Sequence, residues 1–108
     1  MPNRDYKWIP VSERLPETIN YFELDDGSGG WHESDPVIVH VRLTVHDEVS
    51  DECAIAVILE DGTWDGFTCG GFNLRADTNI KDFVAYTTEV VAWMPLPPFM
   101  KEGGELDA

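Results

Sequence analysis

The chain has 108 residues, 43% of them hydrophobic and four of them Trp, which is enough for one globular domain with a single core. This composition excludes a disordered chain, and a domain of this size needs no metal or disulfide for stability. Seven Lys and Arg against 21 Asp and Glu give a formal net charge of -14, which disfavours direct binding to nucleic acid or anionic membranes and favours basic partners.

The sequence also indicates the cellular compartment in which we expect the protein. Its first residues contain no apolar run typical of a signal peptide, and no stretch approaches the ~20 apolar residues of a membrane span. We therefore expect a cytosolic protein with no membrane partner. Cys53 and Cys69 can pair only if the fold brings them together, and a reducing cytosol opposes pairing, so we expect free thiols.

Residues 8–16 form an apolar segment that Pro10 keeps from being a helix interior or a central strand. Ser12 is placed to cap one helical turn, which Pro16 ends because the residue before a proline is pushed out of the helical region. The segment predicts a clip whose apolar side chains face the core, namely Trp8, Ile9, Val11 and Leu15.

Residues 17–35 are predicted to be an inserted, mobile loop. The run from Asp25 to Gly30 is rich in Gly and Asp, which favour turns. Trp31 is expected to anchor the returning chain, and Asp35-Pro36 to begin an extended segment.

The most regular pattern follows, from Val37 to His46, because side chains of a strand alternate between its two faces. The odd positions predict a core face: Val37, Val39, Val41, Leu43 and Val45. The even positions predict a mostly solvated face: Ile38, His40, Arg42, Thr44 and His46. Since β-branched residues suit a pleated surface, we expect the central antiparallel strand here.

Two further strands are predicted after this one. Residues 47–51 indicate a polar reversal, and residues 53–59 a continuously apolar strand covered on both faces. Asp61-Gly62 between apolar runs is typical of a hairpin, which leads into a third strand at residues 63–67.

The last third of the chain has weaker patterns. Residues 68–79 are predicted as a loop, residues 80–86 as one or two helical turns, and residues 89–94 as a last strand. The tail at residues 101–108 has no core-forming pattern and is expected to be flexible. The predicted fold class is α+β but predominantly β. It is a single domain over residues 1–108, with an antiparallel sheet of three to four strands, at most a short helix, and long loops.

Two motifs at the ends of this domain carry a family resemblance: Trp8-Ile9-Pro10-Val11-Ser12-Glu13-Arg14-Leu15-Pro16 and Trp93-Met94-Pro95-Leu96-Pro97. With the strand at Val37 and the Asp61-Gly62-Thr63-Trp64 turn between them, the chain resembles the domain of unknown function 551 family of phages and prophages. Two departures are the long loop at residues 17–35 and Ala92, where family members commonly carry a His before the Trp.

The resemblance implies a small phage-associated domain without an established activity, and therefore a setting in the cytosol of the host cell. It supplies no catalytic residue. It also implies that the Trp and Pro residues of the two motifs pin the chain ends against one sheet, because aromatic burial is energetically large and proline presets turns.

No catalytic, metal or cofactor site is predicted. His40 and His46 share the outer face of one strand but lie ~20 Å apart, too far for one metal ion. A zinc site would need Cys53, Cys69 or His32 brought in by the fold. The acidic run from Glu23 to Ser28 lacks the alternating ligands and closing Glu of a calcium loop.

The charged residues are distributed unevenly along the sequence. Between Arg42 and Arg75 there is no Lys or Arg, while seven carboxylates lie there: Asp47, Glu48, Asp51, Glu52, Glu60, Asp61 and Asp65. The predicted hairpins place the first four at one end of the sheet and the rest towards the other. These residues either solubilise the surface or form a partner-binding surface on which carboxylates imitate phosphates.

Three functions follow as hypotheses, none of them enzymatic. The first is inhibition of a basic, nucleic-acid-binding host defence protein by acidic DNA mimicry. The second is binding of a small, nucleotide-like ligand, with Trp31 and Trp64 stacking on its ring. The third is a structural accessory role in a virion or a homo-oligomer, which an exposed apolar strand edge would favour.

Overall fold

The computed structural model describes residues 7–75, 79–81 and 83–96, without the side chain of Asn79. In chain order, its strands are β1 (Ile9–Pro10), β2 (Asn20–Glu23), β3 (Gly30–Glu33), β4 (Val37–Val45), β5 (Glu48–Ile58), β6 (Trp64–Thr68), β7 (Asn79–Lys81) and β8 (Val84–Pro95). The described residues contain no helix. The prediction of a predominantly β fold is therefore confirmed, whereas the short helix and the limit of three to four strands are wrong.

Six strands form one antiparallel sheet in the order β1-β8-β4-β5-β6, with β7 also paired to β8. Strand β4 lies in the middle, hydrogen-bonded to β5 on one side and to β8 on the other, as the alternation predicted. The register between β4 and β8 shifts after His40, which pairs with Ala92, so that Val41 pairs with Val90 and Val91 is the extra residue of a β-bulge.

The core lies on one face of this sheet. Its fully buried centre is formed by Val39 and Val41, both 0% exposed. Around them pack Val37, Ala54, Ala56, Leu74, Val90 and Trp93, with Ile9, Val11 and Trp64 partly buried against the cluster. We call this the covered face of the sheet. The opposite face, which carries Ile38, His40 and Arg42, is called the open face.

The reversal between β4 and β5 is shorter than predicted. It consists of His46 and Asp47 alone, with φ of 50° and 65°, and strand pairing resumes at once between Val45 and Glu48. Two left-handed residues in this position twist the chain as a hairpin requires. The strand predicted at residues 53–59 therefore begins at Glu48 instead. The tight turn fixes the register between β4 and β5 even where the side chains that follow it are polar.

Residues 17–35 are not simply a loop. Strands β2 and β3 pair within this range to form a two-stranded ribbon, in which the rings of Phe22 and Trp31 stack 5.8 Å apart. A bridge between Glu33 and Leu59 connects the ribbon to the end of β5. Cross-strand aromatic pairs of this kind stabilise a hairpin that sequence periodicity does not reveal.

The helical turns predicted at residues 80–86 are likewise wrong in the described part of that range. Residues 79–81 form β7, which pairs with the start of β8 at Val84, well before the predicted start of the last strand. Ile80 is 73% exposed, so it does not belong to the apolar helix face that the spacing suggested. The segment is too short to nucleate a helix, and the edge of β8 offers its backbone hydrogen bonds instead.

The clip forms a single turn, as predicted, but the turn begins at Pro10, because the amides of Glu13 and Arg14 both donate to the Pro10 carbonyl. Ser12 lies inside this turn and does not cap it. The apolar residues of the clip divide between two sides. Ile9 pairs with Trp93 and packs on the covered face. Its neighbour Trp8 therefore points to the other face, where its ring lies 5.8 Å from that of His40. Trp8 and Leu15 are 43% and 47% exposed, so their predicted burial is wrong.

The hairpin predicted at Asp61-Gly62 is confirmed, because the Leu59 amide donates a hydrogen bond to the Thr63 carbonyl at its base.

Within the residues described, no helix is long and apolar enough to cross a membrane. The predicted tail at residues 101–108 lies outside the described residues.

Candidate interaction surface

A row of four apolar side chains crosses the open face of the sheet. The register places Met94 of β8 beside Ile38 of β4, Ile38 beside Ile55 of β5, and Ile55 beside Phe67 of β6. We call these four residues the apolar row. Ile55 is 60% and Phe67 62% exposed, so no described segment covers this end of the row. Among the described residues, the expectation that neighbours cover both faces of β5 is therefore wrong.

Ile55 is exposed because the described part of the fold has only one layer packed against the sheet. Ala54 and Ala56 alternate with Ile55 along β5 and are 4% and 3% exposed, because they face the core. A second layer on the other face would be needed to cover Ile55, as in sheets with elements on both sides. A continuously apolar strand predicts two covered faces, but in the described residues only one is covered.

Charged groups share the open face with the apolar row. Asp51 pairs with Arg42 across β4 and β5, and Arg42 pairs with Glu89 across β4 and β8. Arg42 Nη1 lies 3.7 Å from Glu89 Oε1. Asp65 pairs with Val57, two residues beyond Ile55 on the same side of β5. The apolar row thus has carboxylates on both sides along the strands.

Asp51 is also oriented by a neighbouring ring. Its Oδ1 lies 2.8 Å from Nε2 of His40, one third of whose side chain is exposed, and the Trp8 ring packs against that imidazole. The contact orients the Asp51 carboxylate, which at 73% side-chain exposure stays accessible to a partner. A held carboxylate loses less conformational entropy when a partner cation binds it.

The seven predicted partner-binding carboxylates do not form one patch. Asp47 lies in the β4–β5 turn, and Glu48 and Glu52 pair with Val45 and Val41, which places them on the side of the covered face. Only Asp51 and Asp65 lie on the open face. The span from Glu48 to Ile58 along β5 is roughly 33 Å, so the two ends of the sheet are well separated.

Several of these acids also hold local structure. Glu52 Oε1 accepts a hydrogen bond from the Gly70 amide at 3.2 Å, and Glu60 Oε1 accepts one from the His32 amide at 3.1 Å. Asp61 Oδ1 accepts one from the Thr63 amide at 2.9 Å, which lowers the pKa of this exposed carboxyl below its ordinary value. These contacts explain part of the acidity without any partner.

The two tryptophans predicted to stack on a ligand lie in different places. Trp31 stacks on Phe22 in the ribbon, and its Nε1 donates to Glu33 Oε1 at 2.8 Å. Trp64 is half-buried against the core on the covered face. The structure does not bring them to one pocket.

A different concavity lies between the clip and the covered face. It has a volume of about 520 Å³, and its walls include Arg14, Pro16, Val37, Trp93 and Pro95. The Arg14 guanidinium carbon lies 5.2 Å from the centre of the Trp93 ring, and Trp93 Nε1 donates to the Arg14 carbonyl at 2.9 Å. Both terminal motifs contribute to this cavity, which is the signal in the sequence that could have identified it.

The open face also brings the two cysteines together. Cys53 Sγ lies 3.5 Å from Cys69 Sγ, and both side chains are exposed. In the described part of the chain, no group of three or more His, Cys, Asp or Glu side chains is arranged to hold a metal ion.

Comparison of the chain with protein-family models, curated proteins and solved structures gave no match. The resemblance to the domain of unknown function 551 family therefore stays a prediction.

Proposed function

We propose that this chain is a non-enzymatic accessory protein of phage or prophage origin that acts in the host cytosol. Its open face binds a basic, nucleic-acid-binding host protein, and carboxylates take the places of phosphates. The observation that carries the proposal is the exposed apolar row with acids on both sides. Contiguous apolar surface of this kind on a soluble domain is typical of an interaction site.

The apolar row supplies the affinity. Ile55 and Phe67 each keep more than half of their side chain accessible, and complete burial of such a residue is worth about 1.5–3 kcal/mol. Covering what remains exposed contributes on the order of 1–2 kcal/mol for each residue. Aromatic anchors at the centre of an interface commonly carry a large share of its energy.

The carboxylates give the open face its specificity for basic partners. A net charge of -14 steers basic surfaces towards the chain. On the open face, Asp65 lies one cross-strand pair from the apolar row and Asp51 two pairs from it on the other side, where both can meet docked Arg or Lys side chains. Arg pairs well with carboxylates as it does with phosphates. Pairing of the open face with a second copy would set like charges against each other, so the charge favours a basic partner.

The test begins with capture of host proteins on the tagged chain at low and high salt. Each captured protein is then purified and its affinity for the chain measured with and without competing double-stranded DNA. We expect DNA and the chain to exclude one another, and binding to weaken as salt rises, because the Debye length shortens. A partner that binds DNA and the chain at once would contradict the mimicry.

Two pairs of variants locate the surface. Ile55→Ser with Phe67→Ser should weaken binding at least tenfold, whereas Ile80→Ser, which changes an even more exposed isoleucine on β7, should not. Asp51→Lys with Asp65→Lys should lower the association rate about tenfold or more at low salt. Glu23→Lys with Asp25→Lys is the control, because it changes the net charge equally on the exposed ribbon.

A second candidate function is supported by the cavity between the clip and the covered face. Its volume of about 520 Å³ fits a small ligand, and its wall offers the Arg14 guanidinium together with the carboxylates of Glu17 and Asp35. A nucleotide panel tests it, since a ligand at one hundred times its Kd raises the free energy of unfolding by about 2.7 kcal/mol. The stabilisation should disappear in Arg14→Gln, and a panel without effect would exclude nucleotides.

A further inference from the structure

The two thiols of the chain are neighbours on an exposed surface. Cys53 lies on β5, and Cys69 follows β6. Their sulfur atoms are 3.5 Å apart although the residues are 16 positions apart in sequence. The chain has no other cysteine, so any thiol chemistry it performs involves these two residues.

The backbone already has the geometry that a bond between them requires. Ala54 pairs with Thr68, and one step further the Cys69 amide donates to the Cys53 carbonyl at 3.0 Å. This hydrogen bond holds the two residues opposite each other on neighbouring segments, the arrangement in which two cysteines can be bridged without a large backbone movement. Because the sulfurs already lie 3.5 Å apart, a small rotation of the side chains brings them towards bonding distance.

The turn that carries Cys69 is itself well held. The Gly71 amide donates to the Thr68 carbonyl at 2.9 Å, the Phe72 amide donates to Thr68 Oγ1 at 3.1 Å, and Glu52 accepts from Gly70. A thiol on a fixed turn stays near its neighbour, which favours a bond within the chain over one to another molecule.

We propose that Cys53 and Cys69 form a reversible intramolecular disulfide by exchange with a low-molecular-weight disulfide such as glutathione disulfide. In the first step, the thiolate of Cys69 attacks one sulfur of the glutathione disulfide and expels a glutathione thiolate. In the second, Cys53 loses its proton to solvent and attacks the Cys69 sulfur, which expels the second glutathione. The two thiols are oxidised, and one disulfide is reduced to two thiols.

The order of attack follows from the contact between the thiols. The hydrogen bond with Cys69 raises the pKa of the Cys53 thiol above its ordinary value, and burial and nearby negative charge act in the same direction. A raised pKa leaves less of Cys53 in the thiolate form that attacks disulfides. We assign the first attack to Cys69 for this reason. The inference does not depend on the partner proposed above.

The experiment uses the full chain in a glutathione buffer that is mostly oxidised. We expect the intact mass to fall by two hydrogen atoms, both cysteines to resist iodoacetamide, and dithiothreitol to restore two reactive thiols. The Tm of the oxidised chain should rise on the order of 10 °C, because the bond restricts the unfolded chain. Limited alkylation of the reduced chain should mark Cys69 first.

The single variants Cys53→Ser and Cys69→Ser serve as matched controls. Each should accumulate a mixed disulfide with glutathione, since the second thiol that resolves it is missing. The inference is overturned if the wild-type chain keeps two reactive thiols, retains a glutathione adduct, or forms disulfide-linked dimers in the same buffer.

Discussion

Trp93→Phe should destabilise the fold by about 2–3 kcal/mol, because Trp93 joins the two ends of the chain. The ring is 5% exposed, and its Nε1 donates to the carbonyl of Arg14, 79 residues away. Losing that hydrogen bond costs on the order of 1 kcal/mol. The volume missing from the core and the weaker attraction between Arg14 and a smaller ring account for the rest.

Urea unfolding followed by circular dichroism measures this change, and the slope with denaturant should stay constant. Trp31→Phe is the matched control. Its indole also donates a hydrogen bond, to Glu33, but it lies on the ribbon outside the core, so its loss should cost about 1 kcal/mol or less. Equal effects of the two substitutions, or less than about 0.5 kcal/mol for Trp93→Phe, would refute the reasoning.

Other predictions concern single buried, turn and ribbon positions. Ser34→Ala should cost about 1–3 kcal/mol in urea unfolding, because Ser34 Oγ accepts the buried Ile58 amide at 3.0 Å. Titration by NMR should give Asp61 a pKa below that of an unstructured aspartate; the stability it contributes is present above the unfolded pKa and is lost as the pH falls through the folded one. Gly30→Ala should reduce hydrogen-exchange protection in the ribbon alone, since its Cβ would overlap a carbonyl oxygen of the paired strand.

The sequence predicted the elements whose signal is local. The alternation around Val39 identifies a strand and its buried face at once, and Asp61-Gly62 identifies a hairpin. The sequence contains no such local signal for the ribbon, for β7 or for the start of β5 at Glu48. The backbone hydrogen bonds of these segments depend on which strand lies beside them in the complete fold. The two-residue turn at His46 and Asp47 fixes how Glu48 and its neighbours pair with β4, although their side chains are polar.

The candidate site was predicted only in part, for a similar reason. Composition alone identified the acids, but the register decides that Asp51 lies on the open face and its neighbour Glu52 on the other side. The contact between Cys53 and Cys69 likewise depends on the pairing of β5 with β6. A contact across strands is a property of the register, which one sequence specifies only through the complete fold.

The acids beside the apolar row have two physical explanations that a single experiment separates. Phe67 lies on the edge strand β6, and exposed apolar side chains at an edge promote association between copies unless charges oppose it. If Asp51 and Asp65 serve only this purpose, Asp51→Asn with Asp65→Asn should cause self-association in sedimentation experiments. If they serve a basic partner, the variant should remain monomeric and lose salt-sensitive binding. Monomeric protein with unchanged binding would contradict both explanations and would direct attention to the cavity beside Trp93.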